Sequence, residues 1–123
     1  FFVTFFIHEY IIYKGIKMLC RRKCCRSLQQ GEINIEELRK KVAQGAILVD
    51  VRSIQEYNEG HLSRAINIPD FEILKRINRE IPKLNQSVVL YCEYGGRSRK
   101  VKKVMEDMGY TNVFNLYGGL EML

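Results

Sequence analysis

The chain has 123 residues, 46% of them apolar and 28% charged, enough for one domain around one core and ordinary for a globular protein. Its formal charge is +6, but residues 1–26 hold six cations against Glu9 alone, while the remaining 97 residues hold 14 basic and 13 acidic side chains. The excess therefore belongs to a leader, and with no basic face carrying interleaved aromatics a nucleic-acid partner is excluded as the reading.

The leader, Phe1 to Leu19, is rich in Phe, Ile and Tyr, but His8, Glu9, Lys14 and Lys17 interrupt it. Its uncharged runs stay at about seven residues or fewer, against ~20 for a spanning helix. The apolar part precedes the cations, the reverse of a signal peptide, so no membrane segment is expected. Lys14-Gly15-Ile16-Lys17 is what a purine-rich ribosome-binding stretch would spell if translated, and the first Met is Met18. Residues 1–17 are accordingly read as upstream sequence. Cys20, Cys24 and Cys25 have only His8 near them, short of the ligands a zinc site needs. They read as incidental thiols in a basic tail, and no metal is expected. Residues 1–31 form this leader and residues 32–123 the domain. The domain's one cysteine, Cys92, is no disulfide framework and suits a reducing compartment, so a cytoplasmic location is expected.

Asn34, with Glu37 three residues on and Ile33 and Leu38 flanking, opens a helix by a capping box and hydrophobic staple. It runs to about Gln44, where Gly45 stops it. Ala46 to Val51 is an apolar run closed by an acid, as in a strand buried on both faces. Ser53 to Glu59 is a short helix ended by Gly60, and Ala65 to Ile68 a brief strand stopped by Pro69. Asp70 is placed to cap a helix with Phe71, Leu74, Ile77 and Ile81 on its inner face, ended by Pro82. Val88 to Tyr91 is a strand. Arg97 to Met108 is a helix with Val101, Val104, Met105 and Met108 inward and Lys100, Lys102 and Lys103 outward, capped by Gly109. Val113 to Leu116 is the last strand, and Gly118-Gly119 a tight turn after it. This alternation predicts an α/β domain with a mostly parallel central sheet and helices on both faces, whose ligands bind outside the carboxyl ends of the strands.

One strand end stands out. Val88 to Tyr91 runs into Cys92-Glu93-Tyr94-Gly95-Gly96-Arg97-Ser98 and then a helix. Glycines let the backbone curl close to an anion. Loop amides, the helix N-terminus and Arg97 would all favour negative charge on the Cys92 sulfur. A buried structural cysteine in a turn would leave the two glycines without a reason.

The ordered motifs Leu48-Val49-Asp50-Val51-Arg52, Glu56-Tyr57, Gly60-His61-Leu62, Ala65 to Pro69, Cys92 to Ser98 and Leu116-Tyr117-Gly118-Gly119 make the chain resemble a single-domain rhodanese over about residues 33–123. The resemblance implies a sulfurtransferase. Cys92 would take the outer sulfur of thiosulfate or a persulfide and pass it to a thiol or cyanide. Amides from Glu93 to Arg97 would hold the developing charge, Arg97 would fix the loop, and Tyr94 would line its mouth. Asp50 and Arg52 match the family's Asp-x-Arg and would brace the loop. The partners are a small-molecule or protein sulfur donor and a thiol acceptor, with no cofactor. His61, in a helix-end turn, is read as structural. Glu93 departs from the basic loops of thiosulfate-specialised rhodaneses, and its carboxylate is expected to repel a dianionic donor. Two other readings stay open: phosphatase or arsenate-reductase chemistry, whose related loops have one more residue between Cys and Arg, and a non-catalytic interaction module.

Overall fold

A computed structural model describes residues 30–123. The readings of residues 1–17, of Cys20, Cys24 and Cys25, and of the leader as a segment lie outside the described residues. Five strands make one sheet in the order β1-β5-β4-β2-β3, every pairing parallel. The chain runs β1 (Glu32–Ile33), α1 (Ile35–Ala43), β2 (Ile47–Asp50), α2 (Ile54–Glu59), β3 (Ile66–Asn67), α3 (Ile73–Glu80), β4 (Val88–Tyr91), α4 (Gly96–Asp107) and β5 (Val113–Leu116). Short 3-10 turns cover Asp70–Glu72 and Gly119–Met122.

The cause of this order is visible in β4. All four of its residues are buried, because helices cover both faces of the sheet. Val88 and Leu90 join Ile73, Ile77, Val101 and Met105 in the core beneath α3 and α4. Val89 and Tyr91 join Leu38, Val42, Leu62 and Leu120 in the opposite core, beneath α1 and the C-terminal turn. Among the described residues no helix is long and apolar enough to cross a membrane.

The caps follow the sequence in part: only the Asn34 half of the expected capping box forms, and a complete box stands at Ser53 instead. Asn34 Oδ1 accepts from Glu37 N at 2.9 Å. Ser53 and Glu56 form a complete reciprocal capping box at the start of α2.

The helix after Pro69 departs from expectation. Ile73, Ile77 and Ile81 face the core, whereas Phe71 and Leu74 are 73% and 66% exposed. The reason lies in its entry. The Asp70 N–H bonds Val51 O at 2.9 Å, and a 3-10 turn of tighter pitch precedes the α-helix, which rotates the inward stripe to the 73-77-81 series. Asp70 is the first residue of that turn and its side chain makes no capping bond.

Candidate active site

The carboxyl ends of β2 and β4 lie side by side, in register from Ile47 opposite Val88 to Asp50 opposite Tyr91. Cys92 follows directly, 1% exposed. Its side chain borders the α3–α4 core, while the chain beyond it folds back over the sulfur. Gly95 N donates to Cys92 Sγ at 3.0 Å and Ser98 N at 3.4 Å. The thiol lies 3.5 Å from Ser98 Oγ, which in turn donates to Gly95 O at 3.2 Å. Gly95 makes this possible. It occupies the N-cap of α4 with φ +95, a left-handed conformation that side chains with a Cβ resist. The first turn of α4 is thus aimed at the sulfur, and its exposed N–H groups favour negative charge there. Ser98, expected only as the end of the loop, is one of the two bonded backbone donors.

A second segment holds the loop from behind. Leu120 N donates to Cys92 O and Glu121 N to Glu93 O, both at 2.9 Å. These bonds satisfy and fix the two loop carbonyls. Gly118 and Gly119, at φ +72 and +64, make the turn that brings those amides into place. A Cβ on Gly119 would lie 2.7 Å from Glu93 C and nearer still to Cys92 O. The two glycines do form the expected turn. Its bracing of the Cys92 loop went unseen in the sequence, which contains no signal for a contact between residues 92 and 120.

The charged residues form two anchors. In the first, Arg52 is buried, with Nη2 2.7 Å from Asp50 Oδ2 and 2.7 Å from Gly60 O. Its Nη1 lies 3.3 Å from Glu93 Oε1. Burial works against the Arg52 charge, but the hydrogen bonds and charge of Asp50 outweigh it and hold its pKa above the ordinary value. Asp50 and Arg52 therefore stand behind the loop. Glu93 points inward at Arg52 and is itself buried, so the repulsion expected of an open carboxylate is countered by a paired cation.

In the second anchor, Arg97 forks onto Glu56, with Nη1–Oε1 at 2.8 Å and Nη2–Oε2 at 2.9 Å. Glu56 belongs to the α2 capping box, and Ser53 Oγ lies 3.1 Å from its Oε1. The Arg97 hydrogen bonds push the Glu56 carboxyl down to about 2, against an opposing effect of burial. The sequence reading missed this box, whose signal is the Ser53-x-x-Glu56 spacing, and nothing local signals its tie to a residue 41 positions away.

That ion pair has a measurable consequence. Glu56 ordinarily titrates at 4.5, and a carboxyl held lower in the fold stabilises it above that value and ceases to do so as pH falls through the depressed one. Wild type is expected to melt higher than Glu56→Gln at neutral pH, with the gap closing between pH 4.5 and 2. Melting temperatures of both proteins across that range test it, and a gap independent of pH would exclude the ion pair as its source.

The remaining candidates fall into place. Tyr94 is exposed in the loop. His61 stacks on Tyr57 with ring centroids 3.7 Å apart, and its Nδ1 donates to Tyr57 O at 2.8 Å, which makes it a structural residue. Tyr91 sends its hydroxyl across the sheet to accept from Leu62 N at 3.1 Å.

Comparison with known proteins agrees with this architecture. The family model described as Rhodanese-like domain matches residues 34–122. The thiosulfate sulfurtransferase PspE of Escherichia coli K12 is 41% identical over 73 residues, covering 59% of this chain and 69% of that protein. A sulfurtransferase of Allochromatium vinosum is 36% identical over 92 residues, 73% of this chain and 84% of that one. Among solved structures, the human single-domain sulfurtransferase TSTD1 superposes with a TM-score of 0.66 at 29% identity, covering 74% of this chain and 92% of its own.

Proposed function

Since the chain belongs to the rhodanese-like domain family, we propose that it is a rhodanese-type sulfurtransferase that carries sulfur on Cys92. The supporting observation is the Cys92 sulfur held by the Gly95 and Ser98 N–H groups at the start of α4. In the first half-reaction the Cys92 thiolate attacks the outer sulfur of thiosulfate or a persulfide. A new S–S bond forms at Sγ, the donor's S–S bond breaks, and its electron pair leaves on sulfite or a thiolate. In the second, a thiol or cyanide attacks the outer sulfur and Sγ departs as thiolate again.

Each half-reaction is a two-electron displacement at sulfur, by a sulfur atom or, with cyanide, by its carbon, and neither calls for a cofactor. Negative charge resides on Sγ at the start of the first and the end of the second. Fixed N–H donors stabilise it there without reorganising. Arg97 serves as a positioning residue, because Glu56 engages both ends of its guanidinium. That engagement, with only four residues between Cys92 and Arg97, weighs against the phosphatase reading. Such chemistry needs the arginine free to grip a tetrahedral anion.

The test is direct. The protein is incubated with thiosulfate, or with a low-molecular-weight persulfide, and weighed intact. A gain of one sulfur atom is expected, reversed by cyanide with release of thiocyanate. Hydrolysis of an aryl phosphate without any sulfur gain would overturn the proposal.

A further inference from the structure

Among the described residues five large apolar side chains stand exposed: Ile54, Phe71, Leu74, Leu84 and Tyr94. Scattered singly over a surface they would need no explanation. Four of them gather at one end of the sheet. Tyr94 lies three residues past the end of β4, Ile54 four past the end of β2, and Phe71 four past the end of β3. These strands are neighbours in the sheet, so their ends span about 10 Å. Contacts tie the three segments together. Glu56, two residues after Ile54, binds Arg97 of the Cys92 loop. The 3-10 turn that carries Phe71 lies against α4, and its Asp70 N–H is bonded to Val51 O just beyond β2. Leu74 follows at the start of α3, exposed like Phe71.

The mouth of the Cys92 loop is therefore bordered by apolar surface, and the closed cradle gives that border a purpose. Cys92 is buried, so whatever exchanges sulfur with it must bring its own sulfur in on a slender carrier. Thiosulfate, cyanide and a small hydrophilic thiol have no apolar area to lay on Phe71 or Leu74, which stand outside the loop. A protein has. Charge continues the same face. Lys75 and Arg79, four and eight residues after Phe71, are exposed and have no ion pair among the described residues. Arg76, beside them, is engaged by Glu72 and Glu80. An apolar centre with a charged flank is the composition of a protein interface.

We propose that this face docks a partner protein that presents its sulfur-accepting cysteine on a protruding segment, with apolar side chains beside the cysteine and acidic ones next to them. The inference rests on the sulfurtransferase reading and specifies its acceptor. The apolar side chains cover Tyr94, Ile54, Phe71 and Leu74, and the acids meet Lys75 and Arg79. The partner's thiolate attacks the outer sulfur of the Cys92 persulfide. A new S–S bond forms on the partner, the bond from Sγ to that sulfur breaks, and its electron pair stays on Sγ.

The full chain, loaded with sulfur at Cys92, is offered two peptides. One has Phe and Leu beside its cysteine and Glu at both ends, and the other has Ser and Lys in those places. Transfer to the first is expected to be roughly tenfold faster or more at equal low concentration. Phe71→Ser and Leu74→Ser should each slow it by about tenfold, the scale of a truncated anchor. Lys75→Glu should slow it chiefly at low salt. Leu84→Ser, before β4 at the other end of the sheet, should match wild type. Release of thiocyanate to cyanide should be unchanged in all four variants. A labelled copy of the first peptide with Ser in place of Cys measures docking without chemistry, and wild type should bind it about tenfold tighter than Phe71→Ser. Equal binding and transfer in wild type, Phe71→Ser and Leu74→Ser would overturn the docking face, as would an equal loss of the cyanide reaction. Dimerisation of wild type that Phe71→Ser abolishes would give the face to a second copy of the chain instead. If Cys92 takes up no sulfur while the Ser-containing peptide still binds through Phe71, the sulfurtransferase reading fails and the docking face does not.

Discussion

Cys92→Ser is expected to gain no sulfur from any donor and to lose turnover by roughly 10⁴-fold or more, the scale seen when a nucleophile is removed from a preformed site. The same substitution should leave the fold nearly intact. A serine oxygen occupies almost the same place and can accept from Gly95 N and Ser98 N, which donate to the sulfur in the native protein. A melting temperature within a few degrees of wild type, measured beside intact mass and thiocyanate release, separates the two effects. Residual sulfur loading in Cys92→Ser would assign the carrier role to another thiol of the chain.

Gly119→Ala should be nearly as damaging, although residue 119 never touches the sulfur. Two costs coincide there. The residue has φ +64, and its new methyl would meet Glu93 C and O at 2.7 Å and Cys92 O closer still. These are backbone atoms, which cannot rotate aside as a side chain can. Strain and overpacking together are worth about 2–5 kcal/mol of stability. If the loop yields instead, a displacement of about 1 Å costs on the order of 10² in sulfur loading. Gly45→Ala is the control. Its φ is +99, yet nothing lies within 4 Å of the added methyl, so it carries the backbone strain without the collision. Comparison of loading rates in the two variants, each corrected for folded fraction, isolates the contact with the loop. Equal rates would mean that the C-terminal turn has no hold on Cys92.

These two positions differ in how far sequence alone reaches. Cys92 is legible because a buried strand, a glycine-containing turn and an amphipathic helix follow one another without a gap, and local order of that kind survives folding. Val88 to Tyr91 and Val113 to Leu116 are strands at the expected residues, since a short apolar run between turn formers, interrupted in the second only by Asn115, has one good home in a parallel sheet. The stripe of α3 was misjudged because Phe71 and Leu74 fit a helical period, while the phase was decided by the bond from Asp70 N to Val51 O. Glu56 reads only as part of a Glu-Tyr motif and proves to cap α2 and to hold Arg97. Glu93 reads as a carboxylate that would repel a dianionic donor and proves to lie against Arg52. Gly119 reads as a turn and proves to be a buttress. In each case the missing information was a partner about 20 to 40 residues distant, which no local pattern encodes.

Leu120 and Glu121, whose amides restrain the two loop carbonyls, come nearly thirty residues after Cys92, and β5 must pair with β1 across most of the chain, Glu32 opposite Asn115. During synthesis the thiol therefore leaves the ribosome well before the segments that shelter it. For that interval the thiol of residue 92 sits on a nascent polypeptide without the backbone bonds that hold its loop, and those are complete only when the last strand and turn arrive.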